Sequence, residues 1–217
     1  MIHCSGDGPG AAARAATRFR IGASSGAARA ALLFNGTHHA AIARTAVSAS
    51  FDYQLSGTTT LSFGAGAGTG GSLTVSGIHY AIRPGWLATG SYARRLVDGE
   101  GSLPFVILGL SFGASGASTA VSVSGFESTA PLYAFDFRAG LTVGKTFLDV
   151  LSAYAAARVF GGPVVWKLAG AAALGTDVNH YQLAAGLVTA LPRGFDVFLE
   201  GAPLGERSVT VGGGYSF

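Results

Sequence analysis

From Arg44 to Leu55 the chain alternates without a fault. Thr45, Val47, Ala49, Phe51, Tyr53 and Leu55 take one parity; Arg44, Ala46, Ser48, Ser50, Asp52 and Gln54 take the other. Successive side chains of a strand point to opposite faces, so this stretch has one apolar face and one face of small or polar groups. A helix would scatter both sets around its axis, and twelve residues of strict alternation leave it no room. Leu132 to Val143 repeats the pattern, with Tyr133, Phe135, Phe137, Leu141 and Val143 set against Ala134, Asp136, Arg138, Gly140 and Thr142. An aspartate and an arginine two residues apart on the small-residue face suit a wet interior better than a dry core.

The chain ends on the same pattern. Val209, Val211, Gly213, Tyr215 and Phe217 share one parity, and Ser208, Thr210, Gly212, Gly214 and Ser216 the other. The set Thr210, Gly212, Tyr215 and Phe217 resembles the C-terminal insertion signal of bacterial outer-membrane β-barrels, polar-x-Gly-x-x-aromatic-x-Phe, and sits at the chain terminus as that signal does. The resemblance implies a location in the outer membrane, contact with its lipid, and recognition of the C-terminal strand by the barrel-assembly machinery. It implies no activity. The first fifteen residues, rich in Gly and Ala, contain no apolar segment of the kind a secretory signal needs, so an export leader is expected upstream of Met1.

Composition leaves two candidates, a greasy soluble core, as in a β-sandwich or lipid-binding barrel, and a membrane wall. Charged residues are only 12% of the 217, about half the usual share, and the mean hydropathy is +0.43. Yet there is no run of about eighteen apolar residues with which a helix could cross a bilayer. A hydrophobic, alternating chain without such a helix fits a closed barrel, whose backbone groups all pair within the wall. Turn chemistry at Gly68-Thr69-Gly70-Gly71, Arg83-Pro84-Gly85, Asp98 to Gly101, Ser115-Gly116, Gly144-Lys145-Thr146, Gly161-Gly162-Pro163, Gly175-Thr176-Asp177, Pro192-Arg193-Gly194 and Pro203 to Glu206 cuts the chain into strands. The expected fold is therefore all-β: a closed antiparallel transmembrane β-barrel over residues 43–217, of about 12 strands, each about 9–11 residues long, with short turns. Residues 1–42 remain open between a tail, a plug entering the lumen and a first hairpin. Arg14, Arg18, Arg20, Arg29 and Arg44 lie there or at its edge, with no acid between Asp7 and Asp52. Aromatics near strand ends, among them Trp86, Phe105, Phe126, Tyr133, Phe147, Phe160, Trp166, Phe195 and Tyr215, are expected to form interface girdles.

Parity assigns Arg44, Asp52, Gln54, Asp136, Arg138, Lys167, His180, Gln182, Asp196 and Glu200 to the lumen, mixing both signs of charge. Spellings of other chemistries are weak. Gly22-x-Ser24-x-Gly26 matches a nucleophile elbow but has no strands before it. Gly144-Lys145-Thr146 lacks the first glycine of a phosphate-binding loop, and Gly66-x-Gly68-x-x-Gly71 has no helix after it to receive a pyrophosphate. His38 and His39 are adjacent and would face opposite ways on a strand, and Cys4 is the only cysteine, so no metal site and no disulfide are expected. No cofactor is implied. A formal charge of +3 without a basic, aromatic-interleaved cluster gives no nucleic-acid partner. The leading expectation is a narrow passive channel or small-solute transporter of unknown substrate. The alternatives are a non-conducting structural barrel and an outer-membrane hydrolase using His180, with Asp177 and Gln182 beside it.

Overall fold

The computed structural model describes residues 18–99, 101–123, 126–168 and 171–217. The N-terminal tail and Cys4 lie outside them. Thirteen strand segments form one antiparallel sheet closed on itself. They are β1 (Phe19–Phe34), β2 (His38–Ser56), β3 (Thr59–Val75), β4 (Ile78–Ile82), β5 (Gly85–Asp98), β6 (Phe105–Val123), β7 (Phe126–Phe147), β8 (Leu151–Gly161), β9 (Val164–Leu168), β10 (Ala171–Asp177), β11 (Tyr181–Ala190), β12 (Phe195–Gly205) and β13 (Arg207–Ser216).

Residues 19–42, left open by the sequence, form β1 and the start of β2. β1 pairs along its length with β2 on one side and with β13 on the other, so it is the staple that joins the two ends of the chain. The glycine run at 68–71 does not turn the chain. It forms a bulge opposite Thr45 and Ala46 inside β3, where Gly70 takes a φ of +144°. Ser115-Gly116 likewise lies in unbroken β6. Pro84 and Pro163 interrupt a pass without reversing it. Each lacks the N–H that the ladder needs, and the chain resumes in the same direction, beside both former neighbours after Pro84 and still beside β7 after Pro163. Thus β4 and β5 both pair with β3 and β6, and β8 and β9 both pair with β7.

The barrel changes width where the β12–β13 hairpin ends. At the end holding Phe19 and Phe217, the ring runs β1, β2, β3, β5, β6, β7, β8, β11, β12, β13 and back to β1, ten strands in all. The hairpin β12–β13 then stops at Gly205 and Glu206. Beyond it β10 bonds directly to β1, with Leu32 opposite Asp177 and Phe34 opposite Gly175. The far ring is β1, β2, β3, β4, β6, β7, β9, β10, eight strands. The count expected from turn spelling was about twelve because glycine bulges and proline breaks look like turns in the sequence.

The alternation acts as expected on the outside. Phe51, Phe63, Phe112, Phe135, Phe137, Leu187, Leu199, Val209 and Val211 are all exposed, forming an apolar belt. Trp86, Phe126, Phe147 and Phe195 are also exposed, whereas Phe105, Phe160 and Trp166 point inward and are buried, contrary to the girdle expected of them. Their parity, not their nearness to a strand end, sets their face. At the rim near the termini, Phe19 stacks on Phe217 at 6.0 Å between ring centroids, and Phe195 meets Tyr215 at 4.8 Å.

Candidate functional site

The interior has three levels. The eight-stranded end is filled by Leu32, Phe34, Leu73, Tyr80, Ile82, Leu132, Val164 and Trp166, a dry cluster to which β1, β3, β4, β7 and β9 all contribute. Eight strands enclose only the space that side chains can fill, so packing here follows from ring size. Trp166 stands at its centre, 4.8 Å from the Tyr80 ring and 5.7 Å from the Phe34 ring, and donates its indole N–H to the Thr119 hydroxyl at 2.9 Å. This placement corrects the expectation for Lys167. Trp166 takes the inward position on β9 and Lys167 is exposed.

Below the cluster the ring widens into a cavity of about 390 Å³. Among the alanines and other apolar residues of its wall stand small hydroxyl side chains, Ser24, Ser48, Ser50, Ser62, Thr89, Ser91, Ser111, Ser115, Ser208 and Thr210, together with three arginines and five carboxylates. The arginines are Arg44, Arg138 and Arg158; the acids are Asp52, Asp136, Asp177, Glu200 and Glu206, which gives the wall a formal charge of −2. Toward the termini a second, smaller space of about 100 Å³ forms a vestibule. Asp52 and Ser62 line both spaces and so mark the neck between them. Phe105, Ile107, Tyr154, Val188 and Phe198 form a second apolar cluster inside the wider part.

The charges are organised in three networks. At the neck, Arg20 bonds Asp52 at 2.7 Å and Asp196 at 2.6 Å, linking β1, β2 and β12. In the cavity wall, Arg158 grips Glu200 through two bonds of 2.8 and 2.6 Å and reaches Gln182 at 2.9 Å, while the Tyr154 hydroxyl donates to Glu200 at 2.9 Å. Under the apolar cluster, Arg138 is paired with Asp136 and, at 2.8 Å, with Glu206, and lies 4.8 Å from the centre of the Phe160 ring. Arg44 reaches from β2 to the Ser115 hydroxyl on β6 at 3.3 Å. Ser50 Oγ and Asp52 Oδ1 are buried with no hydrogen-bond partner among the described residues.

Of the residues assigned to the lumen by parity, Arg44, Asp52, Asp136, Arg138, Gln182 and Glu200 meet around the cavity, and Gln54 and Asp196 line the vestibule. His180 does not join them. It is exposed in the break between β10 and β11, with Nδ1 3.2 Å from the Phe160 carbonyl oxygen, and shares no hydrogen bond with Asp177. Asp177 and Gln182 line the cavity, where Gln182 is held by Arg158 and Glu206 and not by an imidazole. Arg20, Arg158 and Glu206 were missed. Arg20 and Arg158 have inward parity, but only the register of β1 against β2 and of β8 against β11 shows it; Glu206 belongs to the turn chemistry of Pro203 to Glu206 and carries no strand parity of its own. Lys145 lies inside β7, and its ammonium group holds the β5–β6 connection through the carbonyls of Gly99, Gly101 and Leu103.

On the last strand Thr210 faces the cavity. Gly212 faces Phe198, whose ring leaves no space for a larger residue. Tyr215 and Phe217 face outward. The backbone of Phe217 exchanges hydrogen bonds with that of Phe19, at 3.0 and 3.3 Å, at the closing seam.

Solved structures share this fold over nearly the whole chain. The translocator domain of the autotransporter NalP from Neisseria meningitidis aligns with a TM-score of 0.54 at 13% identity, covering 96% of this chain and 93% of that one. The fold is that of a bacterial outer-membrane β-barrel. The outer-membrane protease OmpT from Escherichia coli aligns with a TM-score of 0.51 at 10% identity, and the outer-membrane protein OprG from Pseudomonas aeruginosa with 0.50 at 12%, each covering 93% of this chain and 96% of the other. No protein-family model matches the sequence. No curated protein matches it either.

Proposed function

We propose that this outer-membrane barrel is a narrow passive channel for small polar solutes, with a preference for cations, and that the apolar cluster around Trp166 is its gate. The observation that carries this reading is the cavity between neck and cluster. The serines and threonines of its wall offer hydrogen bonds, the alanines and glycines between them take up little volume, and its five carboxylates outnumber its three arginines. A wall of one net sign concentrates counter-ions in a confined space. A dry apolar constriction in series with it resists permeation by excluding water. The protein sits in this reading in outer-membrane lipid, with the belt of Phe51, Phe63, Phe135 and Leu199 against acyl chains, and is delivered there through its C-terminal strand by the barrel-assembly machinery.

Planar-bilayer recording of the refolded protein tests the proposal. Small, cation-selective conductance is expected, with a reversal potential that follows the cation gradient. A barrel that stays silent, even when Trp166 is replaced by alanine, removes the channel. The second reading, a non-conducting structural barrel, is favoured by the completeness of the apolar filling at the eight-stranded end, where Leu73 is fully buried. A plug in that reading would have to come from residues before β1, because residues 19–34 are part of the wall. Deleting residues 2–17 and recording conductance separates a plug from a closed cluster.

A further inference from the structure

Arg29 on β1 and Arg207 on β13 lie directly opposite each other across the closing seam. Both are exposed, and both have the outward parity of Ile21 and Val209. Like charges in this position repel. No carboxylate pairs with either among the described residues, and the adjacent Glu206 is turned inward to Arg138. The pair caps the apolar row Val209, Val211, Tyr215 and Phe217. Ten residues of tilted strand separate Arg207 from the terminus, about the 25 Å height of a barrel's apolar band. Below the guanidinium groups the outward side of β1 is a furrow with a floor of Ala23, Ser25 and Ala27. Register places Val209 and Val211 along one side of it and Val47 along the other.

We propose that this seam binds a phospholipid of net negative charge, with the anionic headgroup phosphate between Arg29 and Arg207 and an acyl chain in the furrow. Two forked guanidinium groups offer paired donors to phosphate oxygens, and the anion removes their mutual repulsion. The furrow adds an apolar component that a free anion cannot use. The site is outside the barrel and does not depend on whether the lumen conducts.

The full chain, refolded in uncharged detergent, is titrated with dilauroyl phosphatidic acid, with dilauroyl phosphatidylcholine and with inorganic phosphate, and bound lipid is counted by native mass spectrometry. One phosphatidic acid per barrel is expected, bound about tenfold more weakly by the Arg29→Gln/Arg207→Gln variant, as loss of paired charge-assisted bonds predicts. Removal of the repulsion lets that variant fold, and single Arg29→Gln serves as a second reading with an intermediate loss. Equal retention of phosphatidylcholine overturns the proposal. So does inorganic phosphate binding as tightly as the lipid, or undiminished binding by the double variant.

Discussion

Tyr80 and Trp166 meet edge to face, ring centroids 4.8 Å apart, although β4 and β9 are separated in the ring by β6 and β7. They touch across the bore, and with Phe34 they close it. Truncating Trp166 therefore tests packing and passage together. Trp166→Ala is expected to lower stability by about 3–5 kcal/mol, the cost of emptying a large aromatic site, and to raise single-channel conductance. Urea unfolding of the refolded barrel and bilayer recording measure the two effects.

Arg158 and Glu200 form a bidentate pair in which both side chains are nearly inaccessible to solvent, at 8% and 11% exposure. Arg158→Ala strands a buried carboxylate, and a loss of about 3–5 kcal/mol is expected. The double replacement Arg158→Met/Glu200→Leu removes both charges at similar volume and should recover most of the loss. Denaturation midpoints of the single and double variants decide it.

Asp177 lines the cavity and takes part in no ion pair among the described residues. Asp177→Asn removes one negative charge without stranding a guanidinium. Its reversal potential in a salt gradient should move toward zero relative to the parent, with the folded yield unchanged.

The tight end of the β12–β13 hairpin depends on Gly205. Its φ is +78°, and a Cβ there would run into the carbonyl oxygen of Tyr181. Gly205→Ala carries both the left-handed backbone penalty and the clash, so a destabilisation of at least about 1–2 kcal/mol is expected. The accompanying sign is faster hydrogen exchange at Arg207 and Ser208 than elsewhere on β13.

Phe217 is at once the last outward aromatic and a backbone partner of Phe19. If its main use is recognition during assembly, deleting it should cut the amount of barrel in cell envelopes far more than it cuts refolding in detergent. Equal losses in the two assays would assign it to the seam alone.

The sequence made the wall legible and left the ring count obscure. Strict alternation at Arg44 to Leu55 and Leu132 to Val143 identified the inside and outside because parity is a local property of a strand. Whether Gly68 to Gly71 turns the chain or bulges it depends on the partner strand, and Pro84 and Pro163 break a pass only because neighbours on both sides hold its direction. Trp166 and Lys167 are a different case: the register against β7 runs on unchanged across Gly162-Pro163, so Trp166 keeps the inward parity of Arg158 and Phe160, and the charge of Lys167 is a misleading sign of a lumen position. The charge networks were half visible. Asp136 and Arg138 announce themselves by spacing, whereas Glu206 joins them only after the hairpin ends beneath the direct bond of β10 to β1.

The direct bonding of β10 to β1 above that short hairpin gives the molecule unequal mouths. It is a vessel more than a pipe: if the proposed channel conducts, ions drawn in through the broad mouth would accumulate against a greasy floor, and those arriving from the other side would meet the floor first. Current through such a shape should rectify, and the sign of the rectification would reveal which way the protein is oriented in the bilayer.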